Sequence, residues 1–190
     1  MGDLADHGVA HSVIAGLGEA WDGVDAVLYC AAVTHLSPIT HTRPSDWTRL
    51  FRSNVIGAAS VAGAALPALA MSGGRFAALS SDSVAQPMAG LLAYSSSKAA
   101  LEHLLASLPV EAPAVPVTRI IVGPTHTGLA SGFDPELLGR YFQEWTASGW
   151  FDGVVPQEPV VVASEIVAQW LDVPTPDLPS TLDLSYLSRP

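Results

Sequence analysis

The sequence predicts an α/β protein in which a parallel sheet lies between two layers of helices, and two observations carry that expectation. Short apolar runs entered through Gly or Pro, "VDAVLYCAA" from Val24, "GGRFAALSS" and "VPVTRIIVG", read as buried strands. Longer stretches of helical periodicity separate them, and strands alternating with helices imply parallel pairing through crossover helices. Residues 1–190 read as a single domain, 49% apolar, which can bury a core without disulfides or metal.

Taken in order, Asp6 to Ala20 has apolar residues at helical spacing and stops at the Trp21-Asp22-Gly23 turn signal before the first strand. "SDWTRLFRSNVIGAASVAGAALPAL" is a second helix with Ser45 as its expected N-cap. Its apolar run from Val55 to Met71 reads as shorter than a membrane span and as a buried Ala/Gly-rich helix. The strand "RFAALSS" ends at Ser81, and a helix "SSSKAALEHLLASL" follows Tyr94. After "VPVTRIIVG" the pattern breaks over 128–159 into an aromatic-rich insertion that reads as a lid. A last helix through "PVVVASEIVAQWLD" and a strand at "STLDLSYL" complete the chain.

Lys and Arg number 8 against 18 Asp and Glu, a formal charge of −10, which argues against nucleic acid and against an anionic membrane surface as partners. Cys30 is the only cysteine, expected as a small buried residue at a strand end, so no internal disulfide forms. The opening "MGDLADHG" has no basic n-region or apolar h-region, and the expected location is the cytoplasm. His7 and His11, four apart, lack a third ligand nearby and read as solvated, as does His126, so no metal site is expected.

In open α/β sheets ligands lie beyond the carboxyl ends of the strands, here "YCAA", "LSSDS" and "VGPTHT". The only lysine, Lys98, falls one helical turn after Tyr94, so ammonium and phenol share a face. A phenol with a reference pKa near 10 is a poor proton shuttle until a cation stabilises its phenolate. Such a tyrosine can protonate an oxygen held by a second donor, and Ser81, thirteen residues before Tyr94, is the candidate.

The segment "LSSDSVAQPMAGLLAYSSSKAAL", with its Tyr-x-x-x-Lys pair, resembles the active-site segment of the short-chain dehydrogenase/reductase family. "RSNVIGA", holding the sole asparagine Asn54, is similar to the family helix that bears its fourth catalytic residue. "DAVLYCAA" resembles the strand ending in Asn-Asn-Ala-Gly, and "VGPTHT" resembles the loop that closes over the nicotinamide. The resemblance implies a Rossmann-like doubly wound parallel sheet, three-layer αβα, and an NAD(P)-dependent alcohol dehydrogenase or carbonyl reductase. It implies that Tyr94 is the acid/base and that Ser81 orients the carbonyl. Lys98 would bind the nicotinamide ribose and lower the tyrosine pKa, and Asn54 would hold a relay water. Cofactor contacts are implied at Asp3 and Leu4, at Ala31 and Ala32, and at Gly123, Thr125 and Thr127, besides Tyr94 and Lys98. The helices after Val55 and Tyr94 are those the family uses for dimer packing, so a homo-oligomer is expected.

The chain departs from the family at its N-terminus, where the strand, glycine-rich turn and helix that hold the pyrophosphate have no counterpart; "GLGEAW" lies inside a helical pattern. The chain reads as starting inside the family's third strand, roughly sixty residues short at about 30 per βαβ unit, which would leave "DAVLYC" as a bare sheet edge. A misplaced start or fragment, a partner supplying the missing half, and a degenerate non-catalytic binding or assembly subunit all fit that reading. The fingerprint separating NAD from NADP lies outside the chain, so either nucleotide fits. Tyr29-Cys30 replaces the paired asparagines, and Val122 replaces the loop proline with Pro124 two positions on, implying a shifted loop. Tyr141, Phe142, Trp145, Trp150 and Phe151 in the lid either line a pocket for a hydrophobic carbonyl compound or pack the lid on the body.

Overall fold

The structure is a computed structural model that describes residues 2–150 and 153–188. Four parallel strands, β1 (Ala26–Tyr29), β2 (Arg75–Ser81), β3 (Val117–Val122) and β4 (Thr181–Asp183), lie in the order β1-β2-β3-β4. Leu28 is paired with Ala77, Ala78 with Arg119 and Ile120 with Leu182, so the strands end on one common edge. Each crossover is helical, as parallel pairing requires. Among the described residues β1 pairs only with β2 and is an open edge, as expected, but residues 2–6 before the first helix include a turn and no strand.

Helix α1 (His7–Trp21) starts at Asp6, whose carboxylate accepts the Gly8 and Val9 amides, and ends at Asp22, where φ is 60°. α2 (Pro44–Phe51) and α3 (Gly57–Ser72) form one continuous helix, joined by a π-helical turn at Arg52–Ile56. The N-cap is Arg43 and not Ser45: the Asp46 side chain accepts the Arg43 amide at 3.0 Å, a carboxylate reaching back from the third helical residue. The whole helix Pro44–Ser72 is 29 residues long and by length and composition could cross a bilayer, because the apolar run from Val55 to Met71 is extended on its N-terminal side by the more polar residues from Pro44. Its apolar face goes instead to the sheet and α1, with Ala58, Ala62, Ala65 and Leu69 fully buried.

α4 (Leu92–Glu111) begins before Tyr94 and places it in the first turn. The 128–159 segment holds α5 (Pro135–Ala147), and α6 (Pro159–Ile166) continues through a second π turn to Leu171. Strand alternation divides the core. Phe76 and Ala78 face α1, α3 and α4, while Ala77 and Ile120 face Val162, Ile166 and Trp170 of the α6 segment. Helices therefore cover both faces, and fully buried Leu69, Leu101 and Ile120 each contribute about 2 kcal/mol.

Candidate active site

The carboxyl edge of the sheet assembles the residues the sequence singles out. Ser81 ends β2 in extended backbone, and its Oγ accepts the Ser83 amide at 3.2 Å and lies 2.9 Å from Ser83 Oγ. The loop from Ser81 turns back at Gly90 and brings the Tyr94 phenol close enough to Ser81 for that hydroxyl to act on its proton affinity. One turn further, Lys98 Nζ lies 5.9 Å from the Tyr94 ring centre and donates to the Leu79 carbonyl of β2 at 2.8 Å. Tyr94 is 8% exposed and Lys98 3%.

Burial sets the charges here. Loss of water pushes the Tyr94 phenol up to about 12, with the Ser81 hydroxyl opposing and the Asp82 carboxylate adding to the rise. This departs from the lowered pKa that the resemblance implies, because desolvation of the phenol outweighs the one influence that lowers it, the Ser81 hydroxyl. Burial draws Lys98 down to about 8, against the smaller opposing influence of Cys30 and Glu102. At neutral pH the site therefore holds a protonated phenol beside a lysine that is still mostly charged.

Asn54 is fully buried in the first π turn. Its Oδ1 accepts the Val33 amide at 2.9 Å, and its Nδ2 donates to Val33 O at 3.0 Å and to Ser97 Oγ at 2.8 Å. Ser97 in turn donates to the Tyr94 carbonyl at 2.7 Å, so Asn54 braces the helix that carries the phenol. Both Nδ2 protons are committed, so a further partner of this side chain would have to bond the second lone pair of Oδ1.

The expected cofactor contacts divide into two groups. Beyond β1, Leu4, Tyr29, Cys30 and Ala31 line a cleft of about 280 Å³ between the strand, α1 and α3. Ala32 follows, half-buried, and Asp3 lies alongside, its carboxylate accepting from Ala5 N and bonded to Arg52 Nε at 2.7 Å. Those two contacts, the Ala5 amide first, hold the Asp3 carboxyl below its usual range. Beyond β3, Thr125 Oγ1 donates to Gly123 O, and Thr127 Oγ1 accepts the Leu129 amide. Main-chain bonds from His126 to Gln157 and from Gln157 to Pro124 pin this loop to the segment before α6. Gly16 and Gly18 lie within α1 facing open space, and among the described residues no strand leads into a glycine-rich turn.

Cys30 corrects one expectation: it is exposed, because β1 is an edge strand whose exit has no neighbour beyond it. His7 and His11 stack edge to face at the surface, and no group of three metal-binding side chains occurs among the described residues. Within residues 128–159, Tyr141, Trp145 and Trp150 are buried with Leu36 and Met88, and Trp145 Nε1 donates to the Ala89 carbonyl at 2.9 Å. These aromatics dock the 128–159 segment on the loop between Ser81 and Tyr94. Phe142 is half-exposed, and Phe151 lies outside the described residues. Ser83 and Ser97, which brace Ser81 and Tyr94, were not singled out by sequence; their only trace is the serine-rich runs "SSDS" and "SSSK".

A parallel sheet between two helical layers, with a Ser–Tyr–Lys–Asn set at its carboxyl edge, defines a three-layer α/β protein of the Rossmann kind. The chain belongs to the short chain dehydrogenase family, whose model matches residues 1–137. It is similar to the Saccharomyces cerevisiae benzil reductase ((S)-benzoin forming), 28% identical over 155 residues covering 75% of this chain and 55% of that protein. The chain thus spans about half the length of that curated relative. The fold is shared with a short chain dehydrogenase from Mycobacterium paratuberculosis solved bound to NAD, at TM-score 0.84 and 20% identity over 97% of this chain and 71% of that one. It is shared also with an alcohol dehydrogenase from Thermococcus sibiricus complexed with 5-hydroxy-NADP, at TM-score 0.81 and 19% identity over 99% and 74% of the two chains.

Proposed function

We propose that this chain is an NAD(P)-dependent oxidoreductase that interconverts a carbonyl and a secondary alcohol with Tyr94 as acid/base. The observation that carries this reading is the burial of Tyr94, Ser81 and Lys98 together at the carboxyl edge of the sheet, with Lys98 Nζ 5.9 Å from the Tyr94 ring centre one turn behind it. A carbonyl oxygen placed between the two hydroxyls accepts from both, so the charge that develops on it is met by donors fixed beforehand. Tyr94 gives up its proton as the alcohol forms, and the Lys98 ammonium stabilises the phenolate left behind. Asn54 Oδ1 holds the water through which the proton is replaced.

The residues present fit the nicotinamide–ribose half of the cofactor. Lys98 commits one of its three protons to Leu79, leaving two for a vicinal diol, and Ala31 and Ala32 present no bulk at the exit of β1. The nicotinamide supplies the hydride when bound. Half-exposed Phe142 in the lid and the benzil reductase relative support a hydrophobic, ring-bearing carbonyl substrate. The non-catalytic reading is not favoured, since the four catalytic types are intact and connected.

The test is reduction of benzil by the purified chain with NADPH or NADH. Nucleotide-dependent formation of a hydroxyketone is expected; a folded chain that consumes neither nucleotide with benzil or simpler aryl ketones would overturn the reading.

A further inference from the structure

Asn54 sits in the π turn that interrupts a 29-residue helix, and that turn leaves one backbone carbonyl without its helical donor. In an uninterrupted α-helix the Gly57 N–H would bond to the Ser53 carbonyl. Here it bonds to Arg52 O, one residue further back, and the Ser53 carbonyl loses its helical donor. The Tyr29 hydroxyl takes that place, donating to Ser53 O at 2.6 Å from the last residue of β1. The fit is close: a Cβ on residue 57 would collide with Tyr29 Oη, so a glycine there makes room for the phenol. Tyr29 is itself buried and stands where the family pattern has an asparagine.

We propose that Tyr29 is the positioning residue for Asn54, holding the π turn open by satisfying the carbonyl that the turn orphans and so fixing the amide that braces Val33 and Ser97. The catalytic consequence rests on the function proposed above, but the structural claim does not. Burial keeps the Tyr29 phenol protonated to about pH 12, so it remains a donor throughout the working range. The change from asparagine to tyrosine at the end of β1 then exchanges a short polar side chain for one long enough to reach across to the helix.

Asn54 is the only asparagine, so a full chain labelled with 15N-asparagine gives one side-chain amide pair to watch. In the parent both Nδ2 protons are bonded and should exchange slowly. Tyr29→Phe, which keeps the ring and removes one hydroxyl, should shift the pair and speed its exchange roughly tenfold. Gly57→Ala, which displaces the phenol, should do the same, and combining the two should add nothing. Tyr186→Phe, at an exposed phenol, is the control and should leave the pair unchanged. An Asn54 pair unmoved by Tyr29→Phe, with exchange within twofold of the parent, overturns the proposal. In turnover, Tyr29→Phe should lower kcat more than it raises KM, and should cost nothing further in an Asn54→Ala background; an additive loss there counts against positioning through Asn54. A parent without turnover refutes the proposed function alone, and the exchange result still decides the role of Tyr29.

Discussion

Changing pH alone should expose the cost of burying Lys98. Its ammonium is drawn from 10.5 to about 8 in the folded chain, chiefly by loss of water. Between those values the unfolded chain holds the proton and the folded chain has released it, so raising the pH favours folding. The window is pH 8 to 10.5, and a separation of about 2.5 pH units corresponds to about 3 kcal/mol of stability gained across it. The contribution is complete above the unfolded value and is lost as pH falls through the folded one. Above pH 10 the tyrosines act the other way: Tyr29 and Tyr94, each raised to about 12, hold protons that the unfolded chain gives up, so stability falls again. Urea unfolding in steps from pH 7 to 11 should therefore show a maximum near pH 10 in the parent. Lys98→Met should lack the rise below it. A parent curve that is flat or falls from pH 8 to 10, or a Met variant with the same rise, would refute the reasoning. Because Lys98 is the sole lysine, its labelled side-chain resonance should also titrate alone, with a midpoint near 8.

Two further substitutions probe what positions the site. Gly90 has φ +80° and a Cβ there would come within 2.6 Å of the Tyr141 ring, so Gly90→Ala should lower the unfolding free energy by about 1–3 kcal/mol. Near-ultraviolet circular dichroism of the stacked Tyr141–Trp145 pair should change with it, and an unchanged spectrum would count against this docking. Arg75 at the start of β2 donates to the carbonyls of Trp170, Leu171 and Val173 beyond α6, so Arg75→Met should lose charged hydrogen bonds worth about 2 kcal/mol, measured by the shift in urea midpoint.

The strands and the meeting of Ser81, Tyr94 and Lys98 at one sheet edge were legible because their signals are local. β1, β2 and β3 are apolar runs bounded by turn residues, and the Tyr94–Lys98 spacing is a single helical turn. What was illegible depends on contacts distant in sequence. The π turn around Asn54 leaves no periodic mark, since the group that satisfies it, Tyr29, lies 24 residues earlier. The N-cap at Arg43 escaped because backbone N–H and the Asp46 carboxylate make it, whereas the rule looks for a capping side chain on the N-cap residue. The high Tyr94 pKa could not be read from a neighbouring lysine, because desolvation depends on everything packed around the ring. Cys30 was expected inside from residue type alone, and an edge strand put it outside.

The most direct test of the proposed chemistry compares the parent with Tyr94→Phe in a single turnover, following nicotinamide absorbance with an aryl ketone under conditions where both bind nucleotide. Removing one hydroxyl while keeping the ring should slow the chemical step by about 10²–10⁴-fold, with nucleotide affinity little changed. A variant that turns over within a few-fold of the parent would contradict the assignment, and the proton would have to come from a group other than Tyr94.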